Sequence, residues 1–406
     1  MRSGLNRLSE KLLFAFFLVL PLSKALVSII WVALLALGLL NFKSVSLNTR
    51  HPRILLFLPM FYYAWHLMGL FWTENYSFGW FDILVKLPLG ILPIVLLLHQ
   101  DKIIDLKYNL LKSLYLGLSI SLIICFLKAI YGFINTGDIS EFFYTHFSTF
   151  MHPSYFAWEL DVALIFLFTD TRITDKYKWF NSTLILFFSF GVILLNSKAG
   201  IAGWLMVCTL SSIRHAYLKQ TYKPLIIGGI TCIVFLAGYK FGIPSSANRM
   251  GQFKHAIINS NAAVSEMEST STRIQVWSTT WNLIQKQPLL GTGTGDVKDE
   301  LIKSYRASGF NFAADHQFNA HNQFLQSWLA LGIIGLILLA SLFIIPVISF
   351  WRNKELLMII FLIVTFFNLL VESMLEKQDG VVFFALFYSL FLLIPFEEKK
   401  HLNSVA

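Results

Sequence analysis

An all-α, polytopic integral membrane protein is the fold class this sequence predicts, and three observations predict it. Hydrophobic residues make up 56% of the 406, while charged ones make up only 14%. The apolar residues fall in long runs broken by short basic loops. Those loops alternate in Lys and Arg content, as the positive-inside rule requires.

With about 17 to 25 apolar residues needed per crossing, fewer where helices pack internally, about twelve spans are expected. They lie at 11–22, 24–41, 54–72, 82–98, 109–134, 154–169, 179–196, 199–213, 223–242, 322–346, 355–371 and 380–396. Arg2 and Arg7 precede the first span, which lacks a small-residue cleavage site and runs on past Pro21 into more membrane, so it is expected to act as the insertion signal. The fourth, fifth and sixth spans carry Lys86, Lys128 and the pair Glu159 and Asp161, and charges inside an apolar helix usually face a bundle interior. Lys86 and Lys128 are possible partners for the two acids. A very tight turn holding Lys198 joins the seventh and eighth spans. Cys125, Cys208 and Cys232 all fall within spans, which implies neither a disulfide framework nor a zinc site.

Placing the N-terminus in the cytoplasm puts 18 Lys and Arg residues on inner segments and only Lys24, Lys198 and Lys377 on the short outer loops. The net charge of +9 is then mostly topology and not a nucleic-acid footprint. Both termini are expected to face the cytoplasm. Three segments follow: nine membrane helices over 1–242, a large outer loop over 243–320 with short helices, and three membrane helices with a tail over 321–406. A polar stretch of that length is usually functional.

Within the loop, the Ser-Thr-Ser-Thr run at 269–272 offers helix N-caps, and Arg273, Ile274, Trp277, Trp281 and Ile284 follow at helical spacing up to Pro288. A second short helix fits 297–306. The run Gly291-Thr-Gly293-Thr-Gly295-Asp296 suits either a phosphate cradle or a turn; it follows a helix instead of a strand, which favours the turn. The tryptophans are expected at the membrane interface.

The titratable groups gather on the outer side. His321 stands where the polar loop meets an apolar helix containing Gly332 and Gly335. There the helix dipole favours the neutral imidazole, a usable general base, although an interfacial histidine satisfied by headgroups fits as well. Lys198 lacks the topological reason for positive charge, so it either holds an anionic partner or snorkels to the headgroups. Arg273 can clamp phosphate oxygens with two parallel hydrogen bonds or simply stack on Trp277. Arg249 and Arg306 are weaker candidates for the same task. Glu372 and Glu376, one turn apart at the end of the eleventh span, can hold a sugar or a base, or be plainly solvated. His152 marks the outer start of the sixth span.

These residues resemble those of the O-antigen ligase and O-antigen polymerase superfamily of bacterial envelope glycosyltransferases. The sharpest element is His-[Asn/Ser/Gln]-x9-Gly-x-x-Gly, met by His321, Asn322, Gly332 and Gly335. Arg273 with Trp277, then Pro288 to Asp296, then Glu372 to Glu376 are similar in the same order. The resemblance implies a GT-C-like membrane glycosyltransferase with an undecaprenyl-diphosphate-linked glycan as donor, no cofactor and no metal. The site would face the periplasm from the inner membrane. It implies His321 as the group that activates or positions the acceptor hydroxyl, and Arg273 and Lys198 as holders of the departing diphosphate, a task for which Arg249 is a further candidate by its charge alone. Asn322, Glu372, Glu376 and His152 would bind substrate. Where family ligases carry an arginine, this chain has Lys198, which keeps the charge without the bidentate fork. The activity expected first is ligation of finished polysaccharide to lipid A core or a related acceptor. Polymerisation of lipid-linked repeat units comes second, and a transporter of lipid-linked glycan is the non-enzymatic alternative.

Overall fold

The computed structural model describes residues 2–41, 52, 54–169, 178–242, 270–353 and 355–394. The helices are α1 (Arg2–Val19), α2 (Lys24–Leu40), α3 (Ile54–Met68), α4 (Tyr76–Leu98), α5 (Gln100–Thr136), α6 (Tyr144–Phe147), α7 (Pro153–Thr169) and α8 (Lys178–Leu195). They continue as α9 (Lys198–Lys219), α10 (Lys223–Gly242), α11 (Thr270–Lys286), α12 (Val297–Ala307), α13 (Asn311–Asp315), α14 (Gln323–Arg352), α15 (Leu356–Val371) and α16 (Gln378–Leu393). There is no strand among the described residues.

Each segment expected to span is helical. Among the described residues, five helices are long and apolar enough to cross a bilayer: α3 with its 3₁₀ extension to Trp72, α4, α5, α10 and α14. Helices α2, α8, α15 and α16 are apolar but shorter. The 37 residues of α5 rise about 55 Å, well beyond the roughly 30 Å of hydrocarbon, so its polar opening turns with Asp101, Lys102, Asp105 and Lys107 extend past the apolar part expected at 109–134.

Helix α7 shows how a span can carry acids. It is enclosed by α8, α9, α15 and α16, and every residue from Tyr155 to Phe166 is buried. Its neighbour α16 is equally enclosed, with Phe166 stacked on Phe391 at 5.2 Å and Trp158 edge-on to Phe383 at 4.8 Å. Glu159 and Asp161 therefore meet protein and not lipid. The expected lysine partners are corrected here: Lys86 pairs with Asp82 and Glu376, and the Lys128 ammonium donates to the His146 carbonyl at 3.1 Å. Asp161 instead occupies the notch left by Gly203, where a Cβ would strike its Oδ2. The cysteines form no disulfide: Cys125 and Cys208 are buried and Cys232 half-buried.

The loop helices arise as the sequence suggests, α11 at 270–286 and α12 at 297–307, with the added short turn α13. The glycine run between α11 and α12 is a structural clasp. The amides of Thr292 and Gly293 donate to the carbonyls of Leu329 and Ala330 in α14, at 2.8 and 2.9 Å. Those of Gly291, Thr294 and Gly295 go to Gln287 O, Gly69 O and Thr73 Oγ1. With all five amides engaged, none is left to cradle a phosphate, and the turn is the correct reading. Asp296 ties the clasp to the turn before α4, accepting from the amides of Glu74 and Asn75 at 2.8 and 2.7 Å.

The clasp explains Gly332. At this residue α14 breaks (φ 67°, ψ −166°), a conformation open essentially to glycine alone, and a Cβ would collide with the Leu289 carbonyl. The Ile333 amide, released by the break, donates to Pro288 O at 3.0 Å. Gly332 is thus a seat for the outer loop rather than a small packing residue.

Candidate active site

The N-terminal ends of α7, α9, α11 and α14 and the C-terminal end of α15 bring the titratable residues together. His321 lies just outside α14 and not in its first turn. Asn322 is the N-cap, its side chain accepting from the amides of Phe324 and Leu325 at 2.9 and 3.1 Å. His321 itself adopts φ 44°, a left-handed conformation that costs a non-glycine residue about 1 kcal/mol or more. Two contacts hold it there: its amide donates to Asn319 Oδ1 at 2.9 Å, and Trp277 Nε1 donates to its carbonyl at 3.3 Å.

The strained backbone presents the imidazole to Glu372. Nδ1 lies 3.0 and 3.1 Å from the two carboxylate oxygens. Burial alone would raise the Glu372 carboxyl, but the His321 charge and hydrogen bond, with Arg273 and His152, outweigh it and hold the group at about 2. Glu372 is thus ionised and can only accept, so Nδ1 of His321 carries the proton between them, and Nε2 is the ring nitrogen left to act as a base. Two neighbouring contacts lock the acid: the Ser373 amide donates to Glu372 Oε1 at 3.2 Å, and the Asn322 amide donates to Ser373 Oγ at 3.1 Å.

Arg273, near the start of α11, completes the group. Its Nη2 stands 3.5 Å from Glu372 Oε2, a long contact, and its side chain is only 16% exposed. Its Nε is buried without a partner among the described residues. A guanidinium held at one corner, with a buried donor unused, is suited to receive an anion. His152 lies close enough to feel Glu372, Lys377, His321 and Arg273; burial, the largest influence, brings it down to about 4, so it is neutral at ordinary pH.

Lys198 is the first residue of α9, half-buried. It joins this end of the bundle through its neighbour: Ser197 Oγ and Ser154 Oγ are 3.0 Å apart, two residues from His152. Arg249 lies outside the described residues. Arg306 is not drawn in; it pairs with Asp315 at 3.6 Å on the exposed loop surface.

The two acids of the eleventh span do not share a helix face. Helix α15 stops at Val371, Glu372 is extended (φ −152°, ψ 145°), and Glu376 lies in a 3₁₀ turn at 374–376. Glu372 therefore serves His321 and Arg273, whereas Glu376 reaches Lys86 at 2.9 Å and accepts from Gln323 Nε2 at 2.8 Å. Sequence reading missed three contributors. Ser373 and Gln323 sit inside the motifs already singled out, and Asp82 stands four residues before Lys86, a helical spacing that signals a pair.

A bundle of apolar helices with a histidine, a carboxylate and an arginine converging at one end defines an integral membrane protein with a polar cluster at a bundle end. Residues 183–340, a segment that includes α9, α11, His321 and the Gly332 break, match the family model described as O-antigen ligase, which places that segment in the O-antigen ligase and polymerase superfamily. An uncharacterised protein of Haemophilus influenzae is 24% identical over 225 residues, covering 51% of this chain and 56% of that protein. The match thus spans little more than half of the curated relative.

Proposed function

We propose that the protein is an O-antigen ligase-type glycosyltransferase, moving polysaccharide from undecaprenyl diphosphate onto a lipid A core or related terminal acceptor. In this reading about twelve spans cross the inner membrane, with both termini cytoplasmic and the reaction centre facing the periplasm. The observation that carries it is the His321–Glu372–Arg273 constellation: an oriented base beside a guanidinium with an unused buried donor.

The chemistry follows from those groups. Nε2 of His321 takes the proton of the acceptor hydroxyl as its oxygen bonds to the anomeric carbon. The bond from that carbon to the diphosphate oxygen breaks on the opposite face, the electron pair leaves with undecaprenyl diphosphate, and the centre inverts. Glu372 stabilises the imidazolium, which afterwards loses its proton to water. Arg273 and Lys198 take up the charge of the leaving group, so no acid need protonate it and no metal is required by the account.

The test is transfer by purified protein from labelled lipid-linked glycan to lipid A core. A single core-linked product, lost in His321→Ala while the variant remains inserted, is the expected result. Polymer growing on the lipid carrier would make the enzyme a polymerase. Translocation of lipid across vesicles without any new glycosidic bond would overturn the reading in favour of transport.

A further inference from the structure

Beside the His321 loop lies a cavity of about 190 Å³ between α3, α4, α12 and α14. Phe318 and Asn319 belong to both places: they line the cavity, and they also hold His321, the phenyl ring edge-on to the imidazole at 5.2 Å and the amide oxygen accepting from its backbone. At the back of the cavity, Lys86 is pinned between Asp82 and Glu376 and is 1% exposed. Gln323 bridges Glu376 to the Leu375 amide, donating with Nε2 at 2.8 Å and accepting with Oε1 at 2.8 Å. Phe78 and Phe81, on the same helix α4 as Asp82 and Lys86, also line the cavity, ring centroids 6.0 Å apart, with the Lys298 ammonium 5.5 Å from the centre of the Phe78 ring. Gln317 and Gln326 add amides.

We infer that this cavity is the subsite for one pyranose ring of the acceptor glycan, an inference that rests on the transferase reading above. Charge argues against the diphosphate: the two lysines lining the cavity are matched by two carboxylates, whereas Arg273 holds an unused buried donor. Composition argues for a sugar. Fixed carboxylates and amides suit the hydroxyl groups of a ring, and aromatic faces suit its C–H surface. Size limits the occupant, since the cavity is smaller than the roughly 300–1,000 Å³ typical of drug-sized ligands and fits a single ring. Position assigns it to the acceptor, because Phe318 and Asn319, which line the cavity, are the same residues that contact His321. The sugar's partners are then Asp82, Glu376, Lys298 and the Phe78 face.

Binding of methyl glucoside, methyl galactoside and their N-acetylamino analogues to the full chain in nanodiscs, followed by saturation-transfer NMR without donor, tests this separately from catalysis. At least one glycoside is expected to bind, with affinity weakened about tenfold or more in Phe78→Ala and in Lys298→Met, about 1.4 kcal/mol per tenfold. Arg273→Lys is expected to leave that binding intact while weakening inorganic pyrophosphate. In the transfer assay the same two cavity variants should raise the acceptor KM and leave the donor KM unchanged. No saturable glycoside binding, or binding indifferent to both variants, overturns the inference even if transfer is observed. Glycoside binding that obeys the cavity variants in a protein that transfers nothing would instead sink only the transferase reading.

Discussion

Replacing Glu372 by Gln changes one oxygen to an amide at nearly constant volume, and the geometry dictates its effect on His321. The present carboxylate accepts from Nδ1–H at 3.0 Å and also receives the Ser373 amide and, at 3.5 Å, Arg273. In the variant the remaining carbonyl oxygen is the only acceptor for those two donors, so the new NH₂ turns to Nδ1. The ring must then carry its proton on Nε2, where the base is needed. A tautomer inverted in this way costs about 10⁴-fold in kcat in the serine-protease triad, and a drop of about 10²–10⁴ is expected here. Stability moves in parallel. A carboxyl titrating near 2 instead of 4.5 favours its ionised form by about 3 kcal/mol, at about 1.4 kcal/mol per tenfold. Being depressed, that contribution is present above pH 4.5 and is lost as pH falls toward 2; the variant lacks it at every pH, although it also escapes the cost of burying a charge. Transfer kinetics at saturating donor and acceptor, with thermal unfolding of the same preparation from pH 3 to 7, provide the assay. A Gln variant with wild-type kcat would refute the assignment of Glu372 as the group that orients the base.

Arg273→Lys keeps the charge but removes the fork, so the donor KM should rise about 10- to 100-fold with the acceptor KM unchanged, measured by varying each substrate in turn. Gly332→Ala puts a side chain where the Leu289 carbonyl lies and demands a backbone region closed to alanine. It should lower stability by about 3 kcal/mol or more, seen as loss of folded protein in detergent, whereas Gly335→Ala should cost less. His152, brought down to about 4 by burial, binds its proton more readily when unfolded. Stability should therefore fall as pH drops from about 6.5 to 4, and His152→Phe should flatten that part of the thermal-unfolding profile.

Much of this was legible in the chain. Membrane helices declare themselves because lipid demands long apolar runs, and all the expected segments are helical. The histidine pattern marks the turn before α14 where His321 meets Glu372, and the Ser-Thr run with Arg273 and Trp277 marks α11. What sequence spacing could not supply was the path of the backbone at two places. After Val371 the chain becomes extended with no glycine or proline to announce it, so Glu372 and Glu376 part company instead of sharing a face. At Gly332 the helix breaks to seat a loop from some forty residues earlier, which no periodicity within α14 reveals. Lys86 shows the same limit: Asp82 is visible at helical spacing, but Glu376 is 290 positions away.

The proposed chemistry requires an anion against Arg273, within reach of the ring held by Glu372. A structure of the protein bound to undecaprenyl diphosphate tests it most directly. Phosphate oxygens are expected within hydrogen-bond distance of the Arg273 guanidinium, its Nε included, with the His321 ring facing the position of the anomeric carbon. Phosphate density elsewhere, with the Arg273 Nε still unpartnered, would contradict it.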